Sequence, residues 1–430
     1  MSPSARPSRR RALTVASAVG ASAALAYVFQ RSQGKDVAHP VSQPGGALVP
    51  DPKQVLDLPA GFTYRHIQQS GDRMSDGYVV PGNPDGMGCF AGTDGDLILM
   101  RNHELEFQHA SGAHPGQPPP PEAYSPDAAG AVTRVVLDAQ GDLRSSNLVL
   151  TGTLRNCAGG NSPWGWLSCE EHNRKGHGYV FLCPSDAASL RAPKAIPGYG
   201  RFRHEAVAID RQQRAYLTED QGDSCLYRFV PASQATPFEG QLQALRIPGR
   251  DRFETGKMGS GEVLPVQWVD CGPTSATDDD LRIVCGKQGA ATFVRGEGIW
   301  FFEDSIYICS TSGGPASAGQ IFVLSDLDAP TQKLRLLSQS NDSAELEMPD
   351  NITVAPNGDV YICEDGPGEQ YLRGIRSDGS MFLAARNAAS SGELAGACFS
   401  PNGETLFVNL FLDGLTLAIS GPFPHLRDRG

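Results

Sequence analysis

The sequence predicts an all-β protein, a six-bladed β-propeller with loop insertions. Short apolar runs recur six times, and each ends at acids, amides or a cysteine. The last residues of these runs are 46 to 91 residues apart, a spacing that fits four-stranded blades with insertions. Gly and Pro are frequent, with 49 and 32 copies, and long helical patterns are few, as is typical of strands joined by turns.

Each apolar run is predicted to be the second strand of a hairpin whose first strand lies just upstream. Strong turn sequences separate the two strands at Pro356-Asn357-Gly358-Asp359 and Pro401-Asn402-Gly403-Glu404. The runs cover residues 97–100, 166–169, 215–218, 306–309, 360–363 and 406–409. Upstream partners cover residues 85–90, 204–210, 295–301, 350–355 and 396–399.

Acids stand at both open ends of three of these hairpins. The predicted neighbours are Glu205 and Glu219, Asp350 and Glu364, and Asp85 and Glu104. If the blades surround a channel, the same end of every hairpin points to one mouth, so the acids converge there. A single acidic strand end often only solvates a sheet edge, but several in register favour a metal or cation site.

The N-terminus is predicted to be a targeting segment, separate from the fold. Arg9, Arg10 and Arg11 precede an apolar stretch over residues 12–26 that ends in small residues, a pattern typical of a twin-arginine signal peptide. The alternative is an uncleaved membrane anchor, although a bilayer helix needs about 20 apolar residues. Residues 1–26 are therefore predicted to be the signal, residues 27–55 a linker and residues 56–430 one propeller domain.

Net charge excludes one large class of partner. Removal of residues 1–26 takes away four arginines and no acids, so the formal charge moves from -12 to -16. An acidic chain without a basic stripe is a poor nucleic-acid binder. We expect a bacterial protein exported to the periplasm or beyond the cell, with no nucleic-acid partner and no stable membrane span after processing.

One cysteine stands apart from the others. Most of the ten cysteines are predicted to be buried thiols, with one or two bridges among them. Cys169 differs because Glu170 and Glu171 follow it directly, and a thiolate beside carboxylates is unfavourable unless a cation neutralises them. Thiolate with carboxylate ligands favours iron or zinc, whereas carboxylates and amides alone favour calcium or magnesium.

The segment around Arg295 offers a complementary group. Arg295 and Glu297 share one face of an extended strand, so one could bind metal while the other clamps an anion. The alternative is a structural Arg–Glu pair on the strand surface. A serine hydrolase is disfavoured because no GxSxG motif occurs, and the Gly-rich Thr311-Ser312-Gly313-Gly314 lacks the Lys of a P-loop.

The N-terminal leader and a set of motifs spread over about residues 58–424 are similar to those of one known family. They are the twin-arginine leader, Asn102-His103-Glu104, residues 156–171, Phe202-Arg203-His204-Glu205, residues 216–220 and 225–231, residues 293–298, Pro349-Asp350-Asn351, and residues 406–409 and 421–423. With these motifs the chain resembles the PhoX family of alkaline phosphatases. The resemblance implies a propeller whose channel mouth holds Fe³⁺ and Ca²⁺ and hydrolyses phosphate monoesters.

The resemblance also implies roles for individual residues. The residues expected to take part in catalysis are Arg295, which would hold the phosphoryl oxygens, Cys169 as the thiolate ligand of iron, and Glu205 and Glu297 as metal-binding carboxylates. Further iron or calcium ligands are expected at Asp350, Asn351, Glu104 and Glu170. Hairpin register adds Asp85, Asn156, Glu219 and Glu364 to the expected metal ligands.

Two other functions remain open at this point. One is another metal-dependent hydrolase on the same fold, such as a lactonase or a phosphodiesterase. The other is a non-catalytic propeller that uses calcium to stabilise a binding surface. The expected partners of the phosphatase are a small phosphate ester and the twin-arginine export machinery, and the enzyme is expected to be a monomer.

Overall fold

The structure, a computed structural model, describes residues 47–107, 110–273, 279–377 and 379–423. Strands dominate these residues, which confirms the all-β prediction. The helical segments are α1 (Leu281–Lys287) and two 3-10 turns, Pro197–Tyr199 and Thr255–Lys257. None of the described helices is long and apolar enough to cross a membrane. The predicted signal peptide lies outside the described residues.

Strands follow one another along the whole described chain. The first are β1 (Leu48–Val49), β2 (Leu56–Pro59), β3 (Thr63–Gln69), β4 (Pro84–Ala91), β5 (Leu97–His103), β6 (Gly130–Leu137), β7 (Leu143–Thr153), β8 (Asn156–Ser162), β9 (Gly165–Glu170) and β10 (Val180–Cys183). The next are β11 (His204–Ile209), β12 (Ala215–Glu219), β13 (Tyr227–Ser233), β14 (Thr236–Arg246), β15 (Val263–Asp270), β16 (Gly296–Phe302), β17 (Ser305–Ser310), β18 (Gln320–Ser325) and β19 (Gln332–Gln339). The last are β20 (Pro349–Val354), β21 (Val360–Glu364), β22 (Tyr371–Ile375), β23 (Met381–Asn387), β24 (Leu394–Phe399), β25 (Thr405–Leu410) and β26 (Leu415–Ser420).

The described strands form five hydrogen-bonded sheets rather than six separate blades. Four are blade-like, with the strand orders β4-β5-β6-β7, β10-β9-β8, β24-β25-β26-β3 and β1-β2-β23-β22-β21-β20. The fifth has nine strands, because β15 pairs with β14 on one side and with β19 on the other. The propeller-like arrangement is thus confirmed and the prediction of six separate blades is wrong. The bridging strand lies in the 91-residue interval between two of the apolar runs on which the prediction rested.

The first strands of the hairpins make a closed ring. In ring order they are β4, β8, β11, β16, β20 and β24, each in contact with the next, and β24 contacts β4 again. Such a ring brings the same end of every hairpin to one mouth, as in a propeller.

The hydrophobic core is divided among the interfaces between neighbouring sheets. Leu167 and Phe229 pack between the β8–β10 sheet and the nine-stranded sheet. Met100 packs with Trp166 across the next interface, and Tyr361 with Leu406 across another. Because both sides of each sheet are covered by a neighbouring sheet, the first strands of the hairpins are buried along most of their length.

Both ends of the described chain take part in closing the fold. Strand β3 pairs antiparallel with β26, so an early strand completes the sheet of the last three. Strand β1 pairs with β2, which in turn pairs with β23. Strand β1 lies inside the stretch predicted to be a linker, so sheet pairing begins earlier than residue 56.

Candidate active site

An acidic pocket opens at the mouth of the ring. Its lining consists of nine carboxylates, two arginines, one cysteine and one threonine: Asp85, Glu104, Glu171, Glu205, Asp220, Glu297, Asp350, Asp365, Glu393, Arg155, Arg295, Cys157 and Thr311. These residues come from every hairpin of the ring. The predicted convergence of acids at one mouth is therefore found in the structure.

The same backbone hydrogen bond closes all six hairpins at the mouth. We call the residue just before each first strand the entry residue and the residue just after each second strand the exit residue. The exit N–H donates to the entry carbonyl in the pairs Glu104–Asn83, Glu171–Arg155, Asp220–Arg203, Thr311–Arg295, Asp365–Met348 and Phe411–Glu393, at 2.9–3.3 Å. This bond fixes both residues at the rim of the pocket.

A third position of the hairpins also contributes side chains to the pocket. We call the second residue of each first strand the inner residue, and in five hairpins it lines the pocket: Asp85, Cys157, Glu205, Glu297 and Asp350. Strand pairing shifts register across each of these positions. A register shift of this kind bends the strand and re-aims a side chain, which explains how residues of buried strands reach the pocket.

Three inner carboxylates form the tightest group. Ligand oxygens of Glu205, Glu297 and Asp350 all lie within 4.8 Å of one another, a separation suited to a shared metal ion. Two further carboxylate atoms of the pocket lining, Asp85 Oδ1 and Glu393 Oε2, are buried without a hydrogen-bond partner among the described residues. Carboxylate oxygens left without donors in this way fit cation binding.

Burial and mutual repulsion make these acids hard to ionise without cations. Burial, then the charges of Glu297 and Asp350, raise the pKa of Glu205 well above its ordinary value. Burial and the charge of Asp365 raise the pKa of Asp350 to about 7. The pKa of Glu171 rises to about 8 because burial outweighs its ion pair with Arg155. Multivalent cations would remove this cost by pairing with the ionised carboxylates.

Two arginines cross the rim of the pocket in fixed orientations. Arg295 donates from Nε and Nη2 to the two oxygens of Asp220 at 2.7 and 3.0 Å, and from Nη2 to Glu297 Oε1 at 2.8 Å. Arg155 lies 2.7 Å from Glu104 and 2.5 Å from Glu171. Burial lowers the pKa of Arg295, but Asp220 and Glu297 raise it by more, so the guanidinium stays charged.

The cysteine in the pocket is Cys157, not the predicted Cys169. The Cys157 thiol lies 3.3 Å from the carbonyl oxygen of His204 and lines the pocket beside Glu205. Burial, with the charges of Glu205 and Glu171, raises its pKa well above the ordinary value, so a thiolate there needs a cation. Cys169 is fully buried in the apolar core between two sheets and does not line the pocket.

Six of the predicted site residues lie in the pocket and six do not. Those present are Asp85, Glu104, Glu205, Glu297, Asp350 and Arg295. Those absent from its lining are Cys169, Glu170, Asn351, Asn156, Glu219 and Glu364.

The buried acids outside the pocket have partners of their own. Glu219 accepts a hydrogen bond from Tyr227 Oη at 2.8 Å and pairs with Arg282. Glu364 accepts from Arg373 Nε at 2.5 Å. These carboxylates brace the structure behind the mouth.

The other three predicted ligands outside the lining also support it from behind. Glu170 accepts from His177 Nδ1 at 2.7 Å and from the backbone N–H of Leu154 and Gly178. Asn156 donates to Ser168 Oγ at 2.8 Å. Asn351 accepts from the backbone N–H of Gly396 and donates to Asp350 Oδ1 at 3.2 Å, so it orients a pocket carboxylate.

Seven residues of the pocket lining are not among the site residues predicted from the sequence. They are Arg155, Cys157, Glu171, Asp220, Thr311, Asp365 and Glu393. A signal for several of them exists at the first strands, where entry and inner residues stand two apart in Arg155-Asn156-Cys157, Arg203-His204-Glu205 and Arg295-Gly296-Glu297. The exit residues Glu171, Asp220 and Asp365 each follow directly on an acid that was predicted instead.

The sequence matches the family model described as "Alkaline phosphatase PhoX" over residues 43–147 and 140–414. No curated protein matches it. Among solved structures, the chain is similar to Pseudomonas fluorescens PhoX in complex with vanadate, a transition state analogue. The two are 17% identical, the match covers 89% of this chain and 98% of that chain, and the TM-score is 0.66.

Two further solved structures match more loosely. A Bacteroides thetaiotaomicron protein of unknown function is 10% identical, with 84% of this chain and 76% of that chain covered and a TM-score of 0.45. The β-propeller domain of Myceliophteria thermophila Cps50 (Swd1) is 12% identical, with 84% and 100% covered and a TM-score of 0.44.

Proposed function

This chain belongs to the PhoX family of alkaline phosphatases, and we propose that its acidic pocket holds the metal ions with which it hydrolyses phosphate monoesters. The observation that carries the proposal is the charge imbalance of the pocket, nine carboxylates against two guanidinium groups. Such a pocket repels a phosphate dianion unless bound cations reverse its charge. Metal binding and substrate binding are therefore coupled at this site.

We infer that the ions are Fe³⁺ and Ca²⁺, with Cys157 in the ligand role that the sequence had suggested for Cys169. A buried thiol beside Glu205 and Glu171 suits a transition metal such as iron. Glu205, Glu297 and Asp350 would share the ions at the centre. Five other carboxylates of the pocket would serve calcium, which prefers many oxygen ligands: Asp85, Glu104, Glu171, Asp365 and Glu393.

The protein groups around this centre would bind and orient the ester. When bound, the cations would offset the negative charge of the phosphoryl group and polarise its oxygens. Arg295 would hold one or two of those oxygens, because its planar fork is already fixed by Asp220 and Glu297. Fixed donors reorganise little during the reaction and so favour the transition state.

We also propose that the enzyme acts outside the cytoplasm as a monomer. The twin-arginine pattern in residues 1–26 supports export in the folded state, which suits a protein that carries metal ions. The expected partners are the export machinery and a small phosphate ester in the periplasm or outside the cell.

Elemental analysis combined with phosphatase assays tests the proposal. The purified exported protein should contain iron and calcium. Turnover of a simple phosphate monoester should fall on calcium chelation and return when calcium is restored. Full turnover in protein stripped of both metals would contradict it. Parallel assays with a lactone and a phosphodiester measure how far the activity is restricted to monoesters.

A further inference from the structure

Three arginines occupy equivalent positions on neighbouring hairpins of the ring. Arg155, Arg203 and Arg295 are the entry residues of the hairpins that begin with β8, β11 and β16, which are neighbours in the ring. The carbonyl of each accepts the N–H of its exit residue, at 3.0, 3.3 and 2.9 Å respectively. The repeated geometry brings the three residues to the same rim, with Arg203 between the other two.

The two outer arginines make short ion pairs with carboxylates. Arg155 makes ion pairs of 2.7 Å with Glu104 and 2.5 Å with Glu171. Arg295 binds both oxygens of Asp220 and one oxygen of Glu297 at 2.7–3.0 Å. These contacts fix the two guanidinium groups against the wall of the pocket.

Arg203 differs from both. Its nearest carboxylate is Glu171, at 3.7 Å from Nη1 to Oε1, which is too long for a hydrogen bond. Its buried Nε has no hydrogen-bond partner within the described residues, as is also true of Arg155 Nε. Arg155 is nevertheless held through Nη2, whereas the Arg203 side chain makes no hydrogen bond to the described residues. Arg203 does not itself line the pocket, but its Nη1 lies beside Glu171, which does, and no short hydrogen bond would have to break before the guanidinium turned to an acceptor there.

We propose that Arg203 is a second arginine that binds the phosphoryl group of the substrate, in addition to Arg295. The inference rests on the proposed phosphatase function and names a further residue for it. A phosphate monoester has three nonbridging oxygens, more than the fork of one arginine can satisfy. An arginine between Arg155 and Arg295 whose one ion pair is long, at 3.7 Å, meets that need, whereas a purely structural arginine at this position would pair at 2.5–3.0 Å as its neighbours do.

The test uses the metal-loaded enzyme and inorganic phosphate as the probe. Arg203→Ala should raise the inhibition constant of phosphate and the KM of a simple monoester, each by roughly 10- to 100-fold, since a hydrogen bond to a charged group is lost. Arg203→Lys should recover only part of the loss, because it restores the charge without the fork. Added guanidinium ion should partly rescue Arg203→Ala, and a structural role would not respond to it.

Arg211→Ala is the matched control. Arg211 lies at the opposite end of the same hairpin, where its Nη1 pairs with Asp304 at 2.6 Å on an exposed surface. This variant should keep the phosphate inhibition constant and the KM of the wild type. Metal content and thermal stability are measured for all variants.

An unchanged phosphate inhibition constant in Arg203→Ala, with metal content intact, would overturn the inference while leaving the phosphatase function in place. Absence of phosphomonoesterase activity in the wild type would overturn the proposed function itself. A loss of metal together with activity in Arg203→Ala would assign the residue to the metal centre and would also overturn the inference.

Discussion

Arg295 has a strained backbone, with φ at 54°, a left-handed conformation that costs a non-glycine residue about 1–2 kcal/mol. This turn directs the side chain across the mouth, where Asp220 and Glu297 hold it. The local strain is offset by three charged hydrogen bonds. A fixed orientation is the property expected of a group that recognises a phosphoryl group.

Replacement of this arginine should separate turnover from metal binding. Arg295→Ala should lower kcat/KM for a phosphate monoester by about 100-fold or more, since a preorganised charged donor is lost. Iron and calcium contents should stay near those of the wild type. Steady-state kinetics and elemental analysis of the same preparation check this prediction. Wild-type kcat/KM in the variant would show that Arg295 does not touch the reacting group.

The two cysteines give a paired test of the metal centre. Cys157→Ser should lose iron because its sulfur lies in the pocket beside Glu205. Cys169→Ser should retain iron and lose only stability, by about 1–3 kcal/mol, because it places a hydroxyl in the apolar core. Elemental analysis and chemical denaturation of both variants distinguish the roles. Iron loss in Cys169→Ser alone would reverse the assignment.

Several predicted site residues stand one position away from a residue that lines the pocket, and the cause is physical. Side chains of a strand alternate between faces, so a shift of one residue exchanges the pocket face for the buried face. Cα pairing joins His204 with Glu219 and Pro349 with Glu364, one residue away from the predicted pairs. The pocket acids are consequently the exit residues Asp220 and Asp365. Register shifts in the first strands add to this error, and the sequence pattern does not reveal them.

At the scale of elements, the closing hydrogen bond between entry and exit residues explains why the hairpins present equivalent positions. All thirteen residues that line the pocket are entry, inner or exit residues. The strands hold these positions in place, and the residue type varies at the entry, inner and exit positions of each hairpin. The hairpin of β24 and β25 contributes only Glu393, since its inner and exit residues are Ala395 and Phe411.

Glu170 shows how a buried residue supports one such hairpin end. Its carboxylate accepts from Leu154 N, Gly178 N and His177 Nδ1 at 2.7–2.9 Å, which ties the segment after β9 to the turn between β7 and β8. Glu170→Ala should lower the free energy of unfolding by about 2–4 kcal/mol, because buried donors lose their acceptor. Urea denaturation checks the value.

Glu170→Gln is the conservative comparison for this prediction. It retains one acceptor oxygen, so its stability should fall between those of the wild type and Glu170→Ala. Metal content should change less than stability in both variants, since the side chain does not line the pocket. Equal stability of Glu170→Ala and the wild type would contradict the bracing role.

At the scale of the whole molecule, the ring brings more carboxylates together at one mouth than any single sheet contributes. Carboxylates from separate sheets meet at the mouth, and burial raises the pKa of Asp85, Glu205 and Glu297 further above their ordinary values than repulsion alone would. Burial of these acids in their ionised form therefore lowers the stability of the folded protein when no metal is bound.

Stability of the metal-free protein should fall as pH rises from about 5 to about 9. The pKa values of Glu171 and Asp350 are raised in the folded state to about 8 and about 7, so the folded protein binds more protons than the unfolded chain in this window. The stability linked to these protons is present below the unfolded pKa near 4 and is lost as pH rises through the folded values.

Thermal denaturation across this pH range, with and without calcium and iron, measures the effect. Bound metals should flatten the pH dependence, since they pair with the ionised carboxylates. Glu171→Gln should reduce the slope of the metal-free protein near pH 8. Metal-free stability that rises with pH across the window would contradict the argument.

The sequence by itself determined the all-β class, the propeller-like repeat and the convergence of acids, because alternating apolar strands, turn residues and repeated spacing are local properties of the chain. Its motifs also carried the family resemblance and named Arg295, Glu205 and Glu297. The tertiary structure alone decided which acid of each adjacent pair faces the pocket, that Cys157 rather than Cys169 is there, and that β15 fuses two halves into one sheet. Those outcomes depend on strand register and on contacts between residues far apart in the chain, which no local pattern specifies.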